Sequence, residues 1–444
     1  MAEKERPVWV WLPGQTEPVR CGTFWWSPGL GRFRYGEEYR KVAGAVPIDP
    51  INLPFTRSSK PYSTDQWNGL FGVLRDAAPE GFGLDLLLSK YSRESLDEID
   101  RLELSAGDGV GAIEVCSEEQ LEHKLAFAPP PEENLLAELG KADLPGSLRP
   151  IVQRLSGADD GTSLGGEKPK LTVSRAVGNA HEWWIAKLPE RGGSPFLPTR
   201  EYVAMTLARK CDIDAATVNY RRIGPHGIVL IRRFDRKVSP AGVERSLFAS
   251  AATVLRLRSV TTREDDARSY VAFSDEIRRW CAVEGERYAA EQRELWRRMA
   301  FNALVGNIDD HPRNHGLLFR DGHWGLSPAY DIVAMPNSRG GQGMAINRKR
   351  LETGRVGQRI ATPESLVYSA DLFSYTKQEA WETLRMMAST VHESWRSLYV
   401  DGCDMAEADL ESQRSAFQLA EDIVTGKASL NLADVTPQRR QRMR

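Results

Sequence analysis

Asp309, Asn314 and Asp331 are the residues of this sequence with the clearest chemical potential. The first two stand five positions apart in Gly306-Asn307-Ile308-Asp309-Asp310-His311-Pro312-Arg313-Asn314-His315-Gly316, a dense polar stretch behind an apolar helix. Leu317 to Arg320 and His323 to Leu326 follow, joined by Asp321-Gly322, and Asp-Gly between two apolar runs predicts a β-hairpin. Asp331 comes next, among Ala329, Tyr330, Ile332 and Val333. Phosphoryl transfer asks for a carboxylate beside the acceptor hydroxyl and for oxygen ligands that hold Mg2+ on the phosphates. The Asp-x4-Asn spacing recurs by chance, and it is the hairpin and the embedded Asp331 that give it weight. The alternative is an Asx-rich surface loop whose side chains cap its own backbone.

A nucleoside triphosphate also needs a cation. Lys187 lies inside the apolar stretch Trp183-Trp184-Ile185-Ala186-Lys187-Leu188-Pro189, and an ammonium in a strand either points to solvent or meets an anion. Upstream, Gly161 to Lys170 contains Ser163, Gly165 and Gly166 and leads into a strand at Leu171 to Val173, which is the layout of a phosphate-covering hairpin. Glu201 opens the next helix, either as the partner of Lys187 or as a solvated first-turn acid favoured by the helix dipole. His311 and His315 are too few for zinc. His311 is expected to organise its loop as a hydrogen-bond donor. Gly107-Asp108-Gly109-Val110-Gly111 precedes a strand rather than a helix, which predicts a tight turn or close backbone packing more than a phosphate cradle.

The elements that must position these residues follow from pattern. Strands are expected at Val8 to Leu12, Val19 to Trp26, Arg32 to Tyr39, Ile113 to Val115, Leu171 to Val173, Trp183 to Leu188 and Gly227 to Arg232. Helices are expected at 66–74, 84–91, 132–141, 198–210, 247–257, 270–280, 291–305, 377–398 and 409–423. In the helix before the polar loop, Leu295, Met299 and Ala303 recur every four residues, a stripe that must be buried. The expected organisation is a strand-and-helix module over 1–128, a linker with a short helix over 129–147, a sheet-rich part over 148–240 and a helical part over 241–444. The class is α+β and two-lobed, with a β-rich N-terminal lobe and an all-helical C-terminal lobe, and ligands often bind between such lobes.

Composition limits the rest. The 444 residues carry 59 Lys and Arg against 61 Asp and Glu, a net charge of −2, which argues against nucleic-acid binding by bulk positive charge. Hydrophobic residues make up 41%, enough for sizeable cores. Five scattered cysteines form no C-x-x-C pair and suit a reducing cytoplasm. The N-terminus lacks the apolar core of a signal peptide, and no stretch has the length of a membrane span. The terminal Arg439, Arg440, Arg442 and Arg444 form a basic tail, either solvated or facing an acidic partner.

Taken together these segments resemble the HipA family of serine/threonine kinases, the toxin half of bacterial HipBA-type toxin–antitoxin modules. The likeness rests on Ser163 to Lys170, Ile185 to Pro189, Ile231-Arg232-Arg233-Phe234-Asp235-Arg236, Gly306 to Asn314 and Leu326 to Ile332, in that order, with Val10-Trp11-Leu12 and Pro79 to Gly83 upstream. The resemblance implies a two-lobed, protein-kinase-like fold, with ATP and Mg2+ as cofactors. It implies that Asp309 is the catalytic aspartate, that Asn314 and Asp331 are metal ligands, and that Lys187 lies on the phosphates. It also implies that the backbone of Arg232 to Phe234 meets adenine, that Gly165 and Gly166 belong to the loop over the phosphates, and that Ser163, with Thr162 as neighbour, is autophosphorylated. Phosphate there would add about −1.5 to −2 charges against that loop and eject it. Asp310 departs from the Gly frequent at that position, either as an extra metal ligand or as a solvated acid. Arg232 stands where an acid can occur.

The implied partners are a HipB-like helix-turn-helix antitoxin and a protein substrate, with aminoacyl-tRNA synthetases as the family's best-known targets by analogy. No direct nucleic-acid or membrane binding is expected. Two alternatives keep the same residues: a nucleotide-binding co-repressor that acts with its antitoxin, and a small-molecule kinase.

Overall fold

Val8, Val10, Phe24, Trp26, Phe33 and Tyr35 fall at alternate positions of three successive strands and are all buried, so they seal one face of a sheet. The strands are β1 (Lys4–Trp11), β2 (Pro18–Ser27) and β3 (Leu30–Tyr35), joined by β4 (Tyr62–Thr64) and β5 (Ile113–Val115) in the antiparallel order β4-β3-β2-β1-β5. The computed structural model describes residues 3–432 except 142–150, 152–154, 156–163, 165–167, 179, 190–193, 225, 259–265, 283–284, 339 and 353–355.

A second sheet holds β6 (Lys170–Val177), β7 (Ala180–Lys187), β8 (Val218–Ile223) and β9 (His226–Arg232), antiparallel in the order β6-β7-β9-β8. Leu171, Val173, Trp184, Ala186, Ile228 and Leu230 form its core face. That face is covered by Phe82 and Leu86 of helix Phe82–Lys90 and by Leu135 and Leu139 of helix Glu132–Lys141. Helices from the first 141 residues thus share a core with the second sheet. Two small ladders complete the strands: β10 (Arg236–Ser239) with β11 (Gly242–Arg245), and β12 (Phe248–Ser250) with β13 (Gly316–Arg320) and β14 (His323–Leu326).

The chain divides into two compact units, one of residues 1–199, 216–259 and 316–327, the other of 200–215, 260–315 and 328–444. The first mixes sheets and helices. Among the described residues of the second, regular structure is helical, with isolated bridges such as Ala215–Ala329. The α+β class holds. In helix Gly285–Leu304 the stripe of Leu295, Trp296, Met299, Ala300 and Ala303 is buried as its spacing requires. Helix Lys377–Cys403 starts at a capping box of Thr376 and Glu379 and buries Leu384, Met387, Val391, Trp395 and Tyr399. No helix among the described residues is long and apolar enough to cross a membrane.

Several elements differ from expectation. Residues 247–257 are not one helix: Phe248–Ser250 is a strand, because it pairs with β13, and only Ala251–Val254 is helical behind a Ser250 cap. Strands β11 to β14 interrupt the 241–444 span and cluster with the first unit. β3 stops at Tyr35, and Tyr39 lies in a separate 3-10 turn. Positive φ at Trp67, Asn68 and Gly69 splits 66–74 into a 3-10 turn and a helix that starts only at Gly72. β8 was not anticipated, since its residues are mostly half-buried and show no alternation.

Candidate active site

The polar loop begins where helix Gly285–Leu304 is forced to stop. Gly306 takes φ +64, its N–H bonds the Ala303 carbonyl at 3.2 Å, and the Asn307 N–H bonds Asn302 O at 2.8 Å, the pairing of a Schellman cap. A Cβ at Gly306 would lie 3.0 Å from Ala416 O and 3.1 Å from Met335 O, so the exit is tight as well as left-handed. Asn307 Nδ2 donates to Asn302 Oδ1 at 3.0 Å, and Asn302 Nδ2 donates to the Tyr270 hydroxyl at 3.2 Å, which fixes the start of the loop from below.

Asp309 follows with its side chain exposed, and Pro312 then starts a 3-10 turn through Asn314. The Asn314 N–H bonds His311 O at 2.8 Å, and its Nδ2 reaches back to Asp309 O at 3.4 Å, so the two residues five apart in sequence meet across one turn. Asp310 points the other way. Its carboxylate is buried, 2.9 Å from Nε2 of His315, whose ring packs edge-on to Tyr270 at 5.3 Å. Asp310 is therefore neither a solvated acid nor oriented as an extra metal ligand: a buried carboxylate must be paired, and His315 is its partner.

Asp331 is brought to this loop from beyond the hairpin. Ala329 N–H bonds Asp214 O at 2.7 Å, the Tyr330 hydroxyl donates to Arg313 O at 2.7 Å, and Met335 N–H bonds Val305 O at 3.3 Å. Asp331 itself sits at φ +59, a left-handed conformation that Asp tolerates better than most residues. The hairpin has the turn that its sequence predicts, with φ +53 at Asp321 and +80 at Gly322.

Asp309 and Asp331 both act electrostatically on one side chain. Burial holds the His311 imidazole below its ordinary value, against the opposing fields of Asp309 and Asp331, with Arg313 adding to the depression and Asp310 opposing it. Its Nδ1 is buried without a hydrogen-bond partner, so the loop-organising bond expected of His311 is not made from that atom. No group of three or more His, Cys, Asp or Glu among the described residues could hold a metal by itself. Two hard oxygen donors, from Asp331 and Asn314, fit Mg2+, which keeps waters and phosphate oxygens as its other ligands, and do not fit zinc.

In the first unit, Lys187 ends β7, opposite Lys170 of β6 and Val229 of β9. It is half-buried, on the face opposite to Trp184, Ala186 and Leu188, and so away from the helix-covered core. Arg232 closes β9. Its guanidinium meets Glu182 at 3.1 Å near solvent and its N–H bonds Thr217 O, while the Arg233 N–H bonds Trp183 O. The Phe234 ring lies 6.2 Å from that of Phe248. Ser163, Gly165 and Gly166, with Thr162, fall outside the described residues. Glu201, in the second unit, is 3% exposed, which overturns the solvated alternative for it.

Two family models match this chain: the HipA N-terminal domain over residues 10–116 and the HipA-like C-terminal domain over 162–395, more than half of its length. The chain belongs to the HipA family. Among HipA-type solved structures, a chain of the Shewanella oneidensis MR-1 toxin–antitoxin complex of HipA, HipB and operator DNA matches with a TM-score of 0.64 at 16% identity, covering 95% of this chain and 96% of that one. A Sinorhizobium fredii protein named "Putative kinase Y4dM" is 29% identical over 247 residues, 50% of this chain and 53% of the relative. A Haemophilus influenzae protein named "Putative kinase" is 23% identical over 209 residues, 44% and 58% respectively. The chain thus spans little more than half the length of these two relatives.

Sequence reasoning gave no side-chain role to several residues that this HipA-family structure makes prominent. Arg233, Asp235 and Arg236 are buried and ion-paired, and Tyr330 ties the hairpin exit to the loop. A charged run directly after an apolar strand was the available signal for the first three. The glycine-rich loop 107–111 is closely packed, as expected: a Cβ at Gly107 would lie 2.1 Å from Lys124 O.

Proposed function

We propose that this HipA-family chain is an ATP- and Mg2+-dependent serine/threonine protein kinase and the toxin of a toxin–antitoxin pair whose other half is a helix-turn-helix protein. The observation that supports it best is the tie of the Asp331 segment to the polar loop, the Tyr330 hydroxyl bonding Arg313 O, with Asn314 bonded to the Asp309 backbone in the same loop. The exposed Asp309 carboxylate accepts the proton of the acceptor hydroxyl as that oxygen bonds the γ-phosphorus and the bond to the β-phosphate oxygen breaks. Asn314 and Asp331 supply oxygens to Mg2+, which would neutralise charge on the phosphates. Lys187 orients the phosphates from its strand. Because the amides of Arg232 and Arg233 already bond within the sheet, the adenine edge would be addressed by other backbone groups of 232–234, its carbonyls among them. Ser163 is the proposed autophosphorylation site and Thr162 the alternative.

The relatives named as kinases support the activity, the fold likeness to a chain of a complex with HipB on operator DNA supports the partner, and a cytoplasmic setting belongs to the same reading. The test is transfer from γ-labelled ATP, with phosphopeptide mapping of the chain. Asp309→Ala should lower transfer by about 10²- to 10⁴-fold with an unchanged thermal midpoint, since the side chain is exposed. Full transfer in that variant refutes the assignment. The same fold likeness favours a second role, co-repression in complex with the antitoxin, which Asp309→Ala should leave intact in an operator-binding assay.

A further inference from the structure

The segment between β9 and β10, Arg233-Phe234-Asp235, is held from one side by the glycine-rich loop of the first module. Arg233 and Asp235 form a two-pronged pair, Nε to Oδ1 at 2.9 Å and Nη2 to Oδ2 at 2.7 Å. The same guanidinium donates from Nη1 to Asp108 O at 2.5 Å and from Nη2 to Gly109 O at 2.9 Å. Asp235 Oδ2 also accepts the Gly111 N–H at 2.8 Å and Arg236 Nη1 at 2.8 Å, and Arg236 donates to Gly111 O at 2.7 Å and to Gly109 O. Arg245 adds Gly107 O at 2.8 Å and Glu114 Oε1 at 2.8 Å. Every charged residue in this set is less than 9% exposed.

The chemistry of the loop is the reverse of a phosphate cradle. A cradle turns N–H groups toward an anion, whereas four carbonyls of 107–111 face three guanidiniums. Four cations, Arg233, Arg236, Arg245 and Lys124, stand against three carboxylates, Asp108, Glu114 and Asp235, and the carbonyls take up the imbalance. The loop is anchored in turn: Asp108 Oδ2 accepts the Thr172 hydroxyl of β6 at 2.7 Å, and Glu114 meets Lys124 at 2.8 Å. Buried guanidiniums cannot leave such acceptors without a large desolvation cost, so the segment cannot shift unless the loop shifts with it.

We infer that loop Gly107–Gly111 is a brace that sets the position of the Arg232–Phe234 backbone, with Arg233 and Asp235 as positioning residues, and that the first module thereby controls how tightly the chain holds its nucleotide. The inference rests on the proposal that 232–234 meets the base of ATP. The Phe234 ring lies 6.2 Å from that of Phe248, and Phe248 in turn lies against the loop, where a Cβ at Gly111 would sit 3.3 Å from Phe248 Cβ.

The test uses the full chain and three variants: Arg233→Lys, which keeps the charge and loses the fork; Gly111→Ala, which changes no charge but strains the loop at φ +80, where the carbonyl accepts from Arg236 and the N–H donates to Asp235; and Glu132→Gln, a control that loosens ion pairs elsewhere in the same unit, with Arg175 and Arg221. Binding of a fluorescent ADP analogue, KM for ATP, kcat and the thermal midpoint are measured for each. Arg233→Lys and Gly111→Ala should weaken analogue binding and raise KM by about tenfold with kcat within about twofold, while Glu132→Gln lowers the midpoint without changing affinity. If Arg233→Lys does not fold, Gly111→Ala decides, since its left-handed backbone has to shift while its new methyl would sit 3.3 Å from Phe248 Cβ. Unchanged affinity in the folded brace variants, or an equal loss in the control, overturns the inference while leaving the kinase reading standing. A wild-type chain that binds neither ATP nor the analogue removes that reading and the inference with it.

Discussion

Asp310 Oδ1 lies 2.9 Å from His315 Nε2, with both side chains sealed from solvent, one residue away from the exposed Asp309. Two adjacent acids thus have opposite duties, since the chain turns one outward and buries the other on an imidazole. The backbone is closely packed at this point. A Cβ at Gly343 would fall 2.1 Å from Asp310 O, so a strand of chain without a side chain has to pass over this carbonyl.

Removing one partner of that pair leaves the other buried and unsatisfied. Asp310→Ala should cost about 1–3 kcal/mol of stability, read as a lowered denaturant midpoint, while phosphotransfer per folded molecule stays within severalfold of wild type. A loss of activity with no loss of stability would show that Asp310 acts at the metal instead.

Asp331 should separate carboxylate chemistry from backbone strain. At φ +59 a residue with a Cβ carries a penalty of about 1–2 kcal/mol that glycine avoids. Asp331→Gly is expected to melt above Asp331→Ala, although both lose Mg2+-dependent transfer. Equal melting of the two would contradict the left-handed backbone.

Acid should loosen the first unit through Asp235 and Glu114. Burial alone would raise both carboxyls, but the guanidiniums of Arg233 and Arg236 hold Asp235 well below the usual carboxylate range, and Lys124 and Arg245 lower Glu114. A folded value below the unfolded one means stability that is complete above about pH 4 and is lost as pH falls further. Urea midpoints measured from about pH 6 down to pH 3 should drop, and Asp235→Asn should show a shallower drop from a lower starting point.

The five cysteines should be silent in the native protein. All are buried and unpaired; burial pushes the thiols of Cys116, Cys211, Cys281 and Cys403 up to about 12 and Cys21 higher still. A chromogenic disulfide reagent at about pH 8, below these values, should label none of the five within minutes and all of them in denaturant. Fast labelling of the native chain would reveal an opening that exposes the core.

The polar loop was legible because its signals are local. The Gly306 stop, the Asp309–Asn314 turn and the Asp321–Gly322 hairpin are each decided by residues within a few positions. The glycines of 107–111 announced close packing for the same reason. Their partners Arg233, Arg236 and Arg245 lie more than 120 residues away, and nothing near Gly109 hints at a guanidinium. Residues 247–257 misled because helix propensity is a weak prior against a ladder to β13, which arrives about seventy residues later. The fate of Asp310 likewise depended on where Tyr270 and His315 would pack.

Carbonyl acceptors at 107, 108, 109 and 111 also constrain how such chains can be recombined. A shortened protein that began after the first family region would keep three arginines and lose the oxygens that neutralise them, so it should precipitate or unfold rather than persist as a minimal kinase. Swapping the opening module between paralogues should succeed only when the 233–245 stretch is exchanged with it, which makes the two a single heritable unit.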